Sequence, residues 1–260
     1  MNVIGIHPTA IIDPKAELAS DVRVGPYTII GPNVKIDNGC EIGPHVVIEG
    51  PTQIGKNNRI FQFASIGEEC QDKKYKGEAT SLVIGDNNTI REYCSFQRGT
   101  VQDKGATVIG SNNWFMVYVH IAHDCIIGDN CIFANTVEIA GHVEVGNNVI
   151  LGALSGVHQF CKVGHNSMAG GGSIILKDIP AFVMVSGNPA AAHGMNFEGM
   201  RRRGWSAETI GTLKKAYKIV YREGLTVEKA LDELDQLAAD CPEVRIFADS
   251  IRASERGITR

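Results

Sequence analysis

The chain has 260 residues, 43% apolar, 7% aromatic and 21% charged, with 29 glycines and a formal net charge of −4. That length accommodates one large domain or two smaller ones with a buried core. The charge gives no general attraction to nucleic acid or to an anionic membrane, and no apolar run approaches the ~18 residues of a membrane span.

The opening stretch, MNVIGIHPTAIID, lacks the basic start and apolar core of a secretory signal. Seven cysteines, an odd number with no CxxC, favour reduced thiols in the cytosol over a disulfide framework. Cys125 and Cys131 read as small packing residues. A cytoplasmic protein without stable membrane insertion is expected.

From Ile6 an aliphatic residue recurs every sixth position through Ile12, Leu18, Val24, Ile30, Ile36, Ile42, Ile48, Ile54, Ile60 and Ile66. The phase returns at Ile84, Ile90 and Phe96, shifts by one, and runs from Ile109 to Ile175. Glycine often follows the aliphatic residue, and asparagine pairs such as Asn57-Asn58 and Asn112-Asn113 come next. Both residue types tolerate the left-handed backbone that sharp corners need. A sandwich of short strands would space its turns less strictly. The pattern predicts a hexapeptide parallel β-helix over 1–190, three hexads to a coil and coils about 4.8 Å apart.

Two polar segments interrupt it, at about 67–83 and 98–108, and loops thrown out from a rigid solenoid commonly carry binding residues. Past Ile175 the rhythm fades. Ser206 can cap a helix that stops at Gly224, Thr226 a second ending before Pro242, and EVRIFADSIRAS forms a third. A C-terminal helical domain over 191–260 is therefore expected.

The run HIAHDC, residues 120–125, acquires neighbours from the repeat. One coil beyond His123 lies Gly141, and one further lies Gln159; His142 and His158 each sit one residue from that column. Polar residues at exposed corners are one reading. A zinc site is another, although ligands must converge within ~2.1 Å of one atom and three imidazoles on three coils span more than that. In the third, His123 is a base that accepts a hydroxyl proton, Asp124 orients it, and the Gly141 N–H faces an oxyanion. No serine–histidine pair shares this corner, so direct acyl transfer is the simplest chemistry.

The ordered set FQFASIGEECQDKKYKGE, HIAHDC, AGHV, GVHQFC and MNFEGMRRRG, with the tail RGITR, resembles the cytosolic UDP-N-acetylglucosamine O-acyltransferases of lipid A biosynthesis over nearly the whole chain. The resemblance implies a left-handed β-helix and a homotrimer with active sites between subunits. It also implies transfer of a 3-hydroxyacyl chain from acyl carrier protein to the glucosamine 3-hydroxyl of UDP-N-acetylglucosamine, with no cofactor or metal. It assigns His123 as general base, Asp124 as its partner and Gly141 to the oxyanion. Gln71, Asp72 and Lys74 would hold polar groups of sugar or acyl chain. His120, His142, His158 and Gln159 would line the cleft, and Asn196, Glu198 and Arg202 would grip the nucleotide. Gly171, with Met168, would act as the acyl ruler, about 13 Å along the axis from His123; a glycine there implies a chain near C12–C14.

Relatives commonly carry Thr-Ile-His-Arg-Gly-Thr where this chain has Ser95-Phe96-Gln97-Arg98-Gly99-Thr100. Gln97 cannot titrate, which leaves a 3-amino sugar open as acceptor. The alternatives are a zinc-dependent hydratase on the same trimeric β-helix, a coenzyme A-dependent acetyltransferase, and a non-catalytic nucleotide-sugar scaffold.

Overall fold

A computed structural model describes residues 5–260; the first four residues of the opening stretch lie outside it. Most hexads supply a two-residue strand whose first side chain points outward and whose second points inward, as at Ile29–Ile30 and His120–Ile121. The corner after most strands turns through a residue with positive φ. Asparagine fills it at Asn57 (55°), Asn112 (60°) and Asn130 (58°), being one of the few residues that tolerate that region.

Every third strand pairs in parallel, giving three sheets of nine, eight and ten strands. The sheets are the faces of a left-handed parallel β-helix. On the first face Ile30, Ile48, Ile66, Phe96, Ile121, Ile139 and Val157 stand in register. Ile36, Ile54, Ile84 and Ile109 do the same on the second face, and Ile42, Ile60, Ile90 and Phe115 on the third. These side chains are buried, each contributing roughly 1.5–3 kcal/mol of transfer free energy.

Between the second and third faces a buried amide ladder joins the coils. Asn58 Oδ1 accepts from Asn88 N at 2.9 Å, and Asn88 Oδ1 accepts from Asn113 N at 2.9 Å. The seven cysteines are buried and unpaired.

On the first face Ile66 pairs with Phe96 and Phe96 with Ile121, steps of 30 and 25 residues instead of 18. Both insertions leave the coil at the corner between the first and second faces, between Ser65–Glu68 and Ser81–Ile84 and then between Ser95–Gln97 and Ala106–Ile109. The register of the inner residues on either side is kept.

Coiling continues where the sequence rhythm fades. Val163 bridges Ile179 and Met168 pairs with Met184, steps of 16 residues; the last coil is two residues short, which hides it from a count in sixes. Ala191–Met195 then folds back antiparallel on Val183–Ser186. Helix α1 (Phe197–Arg202), which the sequence reading did not anticipate, follows its cap Asn196. The three expected helices are α2 (Ala207–Tyr221) and α3 (Val227–Leu237), capped by Ser206 and Thr226, and α4 (Pro242–Arg252). Buried Asp178 returns the tail to the solenoid, accepting from Lys162 N at 2.7 Å and Ser254 Oγ at 2.7 Å.

Candidate active site

The corner that ejects both loops carries HIAHDC on the next coil. Successive coils then place Ala122-His123-Asp124, Ala140-Gly141-His142 and His158-Gln159-Phe160 at this corner. Asp124, His142 and Phe160 take the left-handed positions, with φ of 58°, 63° and 65°. The rings pack on one another: His142 lies parallel to Phe160 at 4.4 Å, and His123 stands edge-on to His142 at 4.9 Å.

His123 Nδ1 and Asp124 Oδ2 are 2.9 Å apart. Asp124 is fully buried, and the second loop reaches back to it: the Thr100 N–H donates at 3.0 Å and the Thr100 hydroxyl at 2.7 Å. Burial drives the Asp124 carboxyl upward, but the hydrogen bonds from His123 and Thr100 outweigh it and hold the group below its ordinary value. It is therefore a carboxylate at neutral pH, which fixes the tautomer of neutral His123 with the proton on Nδ1 and the lone pair on Nε2.

Gly141 seats that ring. A Cβ there would lie 2.6 Å from His123 Cε1 and 2.7 Å from Nε2, so only glycine lets the imidazole rest against the next coil. The Gly141 N–H has no protein acceptor among the described residues and stays available to a developing oxyanion.

His123, His142, Gln159 and Phe160 line one open cavity of about 620 Å³ together with Asp72 and Lys74 from the first loop. Gln102, Asp103 and Lys104 of the second loop, and Glu144, Lys162 and Glu255, complete its wall. Asp103 Oδ2 lies 2.7 Å from His142 Nδ1, and Lys104 Nζ 3.1 Å from Glu144. Thr100, Asp103 and Lys104 were not found in the sequence, because a hexad count does not say where an insertion returns.

Other expected residues stand further off. His120 points outward from the first face against the Ser95 hydroxyl at 2.7 Å, and burial pushes its pKa down. His158 contacts the carbonyl of Gln159 at 3.1 Å and is exposed. The Gln71 N–H donates to Gln97 Oε1 at 3.4 Å, so buried Gln97 steadies the first loop and is not part of the cavity wall. Arg98 does the same, donating to the Gly50 carbonyl and to the Tyr75 hydroxyl.

Asn196, Glu198 and Arg202 do not line the His123 cavity within one chain. The Asn196 amide accepts from Gly199 N and donates to the Asn166 carbonyl, while Arg202 pairs with Glu198 at 3.2 Å on the surface. The axial placement of Gly171 also needs a correction of angle. Gly171 follows Ala169 on the third face and precedes Ile174 on the first, so it sits at a different corner from His123. Beside it the outward side chains of the third face form an apolar column in register: Trp114, Ile132, Ile150, Met168 and Met184. Trp114 and Ile132 are exposed.

The three imidazoles considered for zinc are not brought together. His123, Asp124 and His142 instead offer atoms within 4.8 Å of one another. Those atoms are already joined to each other, to Thr100 and to Asp103, a hydrogen-bonded relay in place of a set of free lone pairs. No helix among the described residues is long and apolar enough to cross a membrane.

Residues 178–259 match the family model of UDP-N-acetylglucosamine O-acyltransferase domain 2, and 106–141 that of the bacterial transferase hexapeptide. The acyl-[acyl-carrier-protein]–UDP-N-acetylglucosamine O-acyltransferase of Stutzerimonas stutzeri is 60% identical, covering 98% of this chain and 99% of its own. That of Pseudomonas aeruginosa is 58% identical over the same shares. The structure of LpxA from Acinetobacter baumannii superimposes with a TM-score of 0.97 at 59% identity, covering 98% of this chain and 99% of that one. The fold is thus shared over nearly the whole length of these relatives, and the chain belongs to the UDP-N-acetylglucosamine O-acyltransferase family.

Proposed function

We propose that this chain transfers an (R)-3-hydroxyacyl group from acyl carrier protein to the 3-hydroxyl of the glucosamine in UDP-N-acetylglucosamine, the first step of lipid A biosynthesis. The relatives named for that reaction support this reading. The observation that carries it is His123, with Nδ1 held by a fully buried carboxylate and the Nε2 edge of its ring over Gly141 in the cavity.

Nε2 takes the proton of the attacking hydroxyl as its oxygen adds to the thioester carbon. Asp124 stabilises the imidazolium that forms, and the Gly141 N–H donates to the carbonyl oxygen as negative charge builds on it. Asp72 and Lys74 face the same space and orient sugar and acyl hydroxyls; Gln71 sets the loop that carries them. His120 and His158 flank the corner, and Gln159 closes the cavity. The acceptor is a hydroxyl in this reading, as it is for the relatives named O-acyltransferases.

A homotrimer completes the site. The apolar column at Met168 and the open corner at Gly171 lie away from His123 in one chain, and a neighbouring chain's column would take the acyl tail beside this chain's base. Asn196, Glu198 and Arg202 would reach the nucleotide in the same way, with the guanidinium of Arg202 suited to the diphosphate. The enzyme would work in the cytoplasm, without metal or cofactor.

The test is transfer from 3-hydroxyacyl carrier proteins of several lengths to UDP-N-acetylglucosamine, with EDTA present, by wild type and His123→Ala. Turnover by wild type that the variant loses is expected, with C12–C14 donors preferred and Gly171→Met shortening the preference. Retention of activity by His123→Ala overturns the base. Activity only with the 3-amino sugar, only with acetyl-coenzyme A, or only with bound zinc would replace the reading by the corresponding alternative.

A further inference from the structure

General-base transfer gives the proton of the sugar hydroxyl a destination, but the carrier's sulfur leaves as a thiolate and also needs a proton. The cavity contains a second histidine–carboxylate pair. His142 Nδ1 lies 2.7 Å from Asp103 Oδ2, as His123 Nδ1 lies 2.9 Å from Asp124. Both imidazoles show 15% of their side-chain surface, and both line the same space. The carboxylates differ: Asp124 is fully buried and Asp103 is 35% exposed on a loop. Two dyads of one composition in one cavity provide one imidazole to take a proton and a second to give one.

We propose that His142, oriented by Asp103, is the general acid that protonates the departing carrier thiolate. The inference rests on the acyl-transfer reading above. His142 Nδ1 is engaged by Asp103, so Nε2 is the atom that exchanges a proton. Phe160 covers one ring face at 4.4 Å and His123 meets the ring at 4.9 Å. The charged groups that share the cavity with it are Asp72, Lys74, Asp103 and Lys104 from the loops, His123, Glu144, Lys162 and Glu255.

In the addition step the sugar oxygen bonds to the thioester carbon, its proton passes to His123 Nε2, and the carbonyl π pair moves onto oxygen. In the collapse step that pair reforms the carbonyl, the C–S bond breaks, and sulfur takes the proton from His142 Nε2. The ester and a free thiol result. His123 then returns its proton to solvent and His142 regains one. Asp103 is a positioning residue that holds the His142 ring through Nδ1.

The pH dependence of kcat for wild type, His142→Gln and Asp103→Asn tests this, with circular dichroism confirming the fold of each. His142→Gln lowers kcat near neutrality by about 10²-fold, the low end for general acid catalysis because a thiolate is a good leaving group. The penalty shrinks toward unity as pH rises, since wild type then also lacks the acid. Asp103→Asn lowers kcat by a smaller factor with the same pH dependence, because the ring is no longer held through Nδ1. A penalty that stays constant with pH in His142→Gln, or an Asp103→Asn variant as active as wild type, overturns the proposal. Failure of the acyl-transfer reading itself would be separate and visible: wild type would not turn over.

Discussion

Gly141→Ala isolates the seating of the base from every other feature of the site. The added methyl would sit 2.6 Å from His123 Cε1 and 2.7 Å from Nε2, where ordinary contact begins at 3.4 Å. The ring must therefore retreat by about 0.8 Å, and it can do so only by swinging against its 2.9 Å bond to Asp124 or toward His142. A misplacement of ~1 Å in a positioned catalytic group costs on the order of 10²-fold in rate. The Gly141 N–H survives the substitution, so an oxyanion donor is not lost. Because the His123 side chain reaches the cavity, it can yield without opening the core, and the melting temperature should fall by no more than about 2 °C. Steady-state transfer kinetics and a thermal melt are the assays. We expect kcat to fall by about 10²-fold while KM for the nucleotide sugar changes little. Activity within threefold of wild type would refute the reasoning, since His123 would then not act from the position in which Gly141 holds it.

Three further outcomes follow from the packing and the titrating groups. Asn88→Ala strips an acceptor from buried Asn113 N–H and a donor from the Gly110 carbonyl, and should cost about 2–3 kcal/mol in denaturant unfolding; a loss below 0.5 kcal/mol, on the same scale, would show that the ladder is not structural. The Asp124 carboxyl is depressed in the folded chain because the bonds from His123 and Thr100 prevail over burial. Its contribution is full above the unfolded value of about 4 and is lost as pH falls through the folded one; Asp124→Asn should remove that share of acid sensitivity, and parallel acid profiles would contradict it. Burial pushes the Cys94 and Cys125 thiols up to about 12 and those of Cys131 and Cys161 up to about 11. Native protein at pH 8 should leave all four unlabelled by an aromatic disulfide while unfolded chain reacts fully, and rapid native labelling of any of them would count against the buried assignment.

The coil was legible because each face takes one large inward side chain per turn, so Ile30, Ile48 and Ile66 declare the period themselves. The same arithmetic brought His123, Gly141 and Gln159 into one column. It failed where the period changes. The 16-residue final coil removed Ile179 and Met184 from the count. Counting 48 residues from His123 to Gly171 gave an axial distance but concealed the change of corner. Thr100 and Asp103 were invisible for a different reason: a loop's return contact depends on its own conformation, and a strand period carries no information about it. Helix α1 is only six residues long, too short to show a periodic apolar face.

Both insertions leave from one corner while Ile54 still pairs with Ile84 and Ile60 with Ile90. A corner is thus a port through which chain can be added without moving an inner residue of any face. The solenoid keeps its stability in the shaft and its chemistry at the rim, on parts of the chain that hardly constrain each other. Loop 98–108 can be lengthened, shortened or exchanged between relatives, and the demand on it is local: one residue must reach Asp124 and another His142. Diversification of donor or acceptor can proceed there at almost no thermodynamic risk to the scaffold, whereas one misplaced residue in the columns is felt through every neighbouring coil.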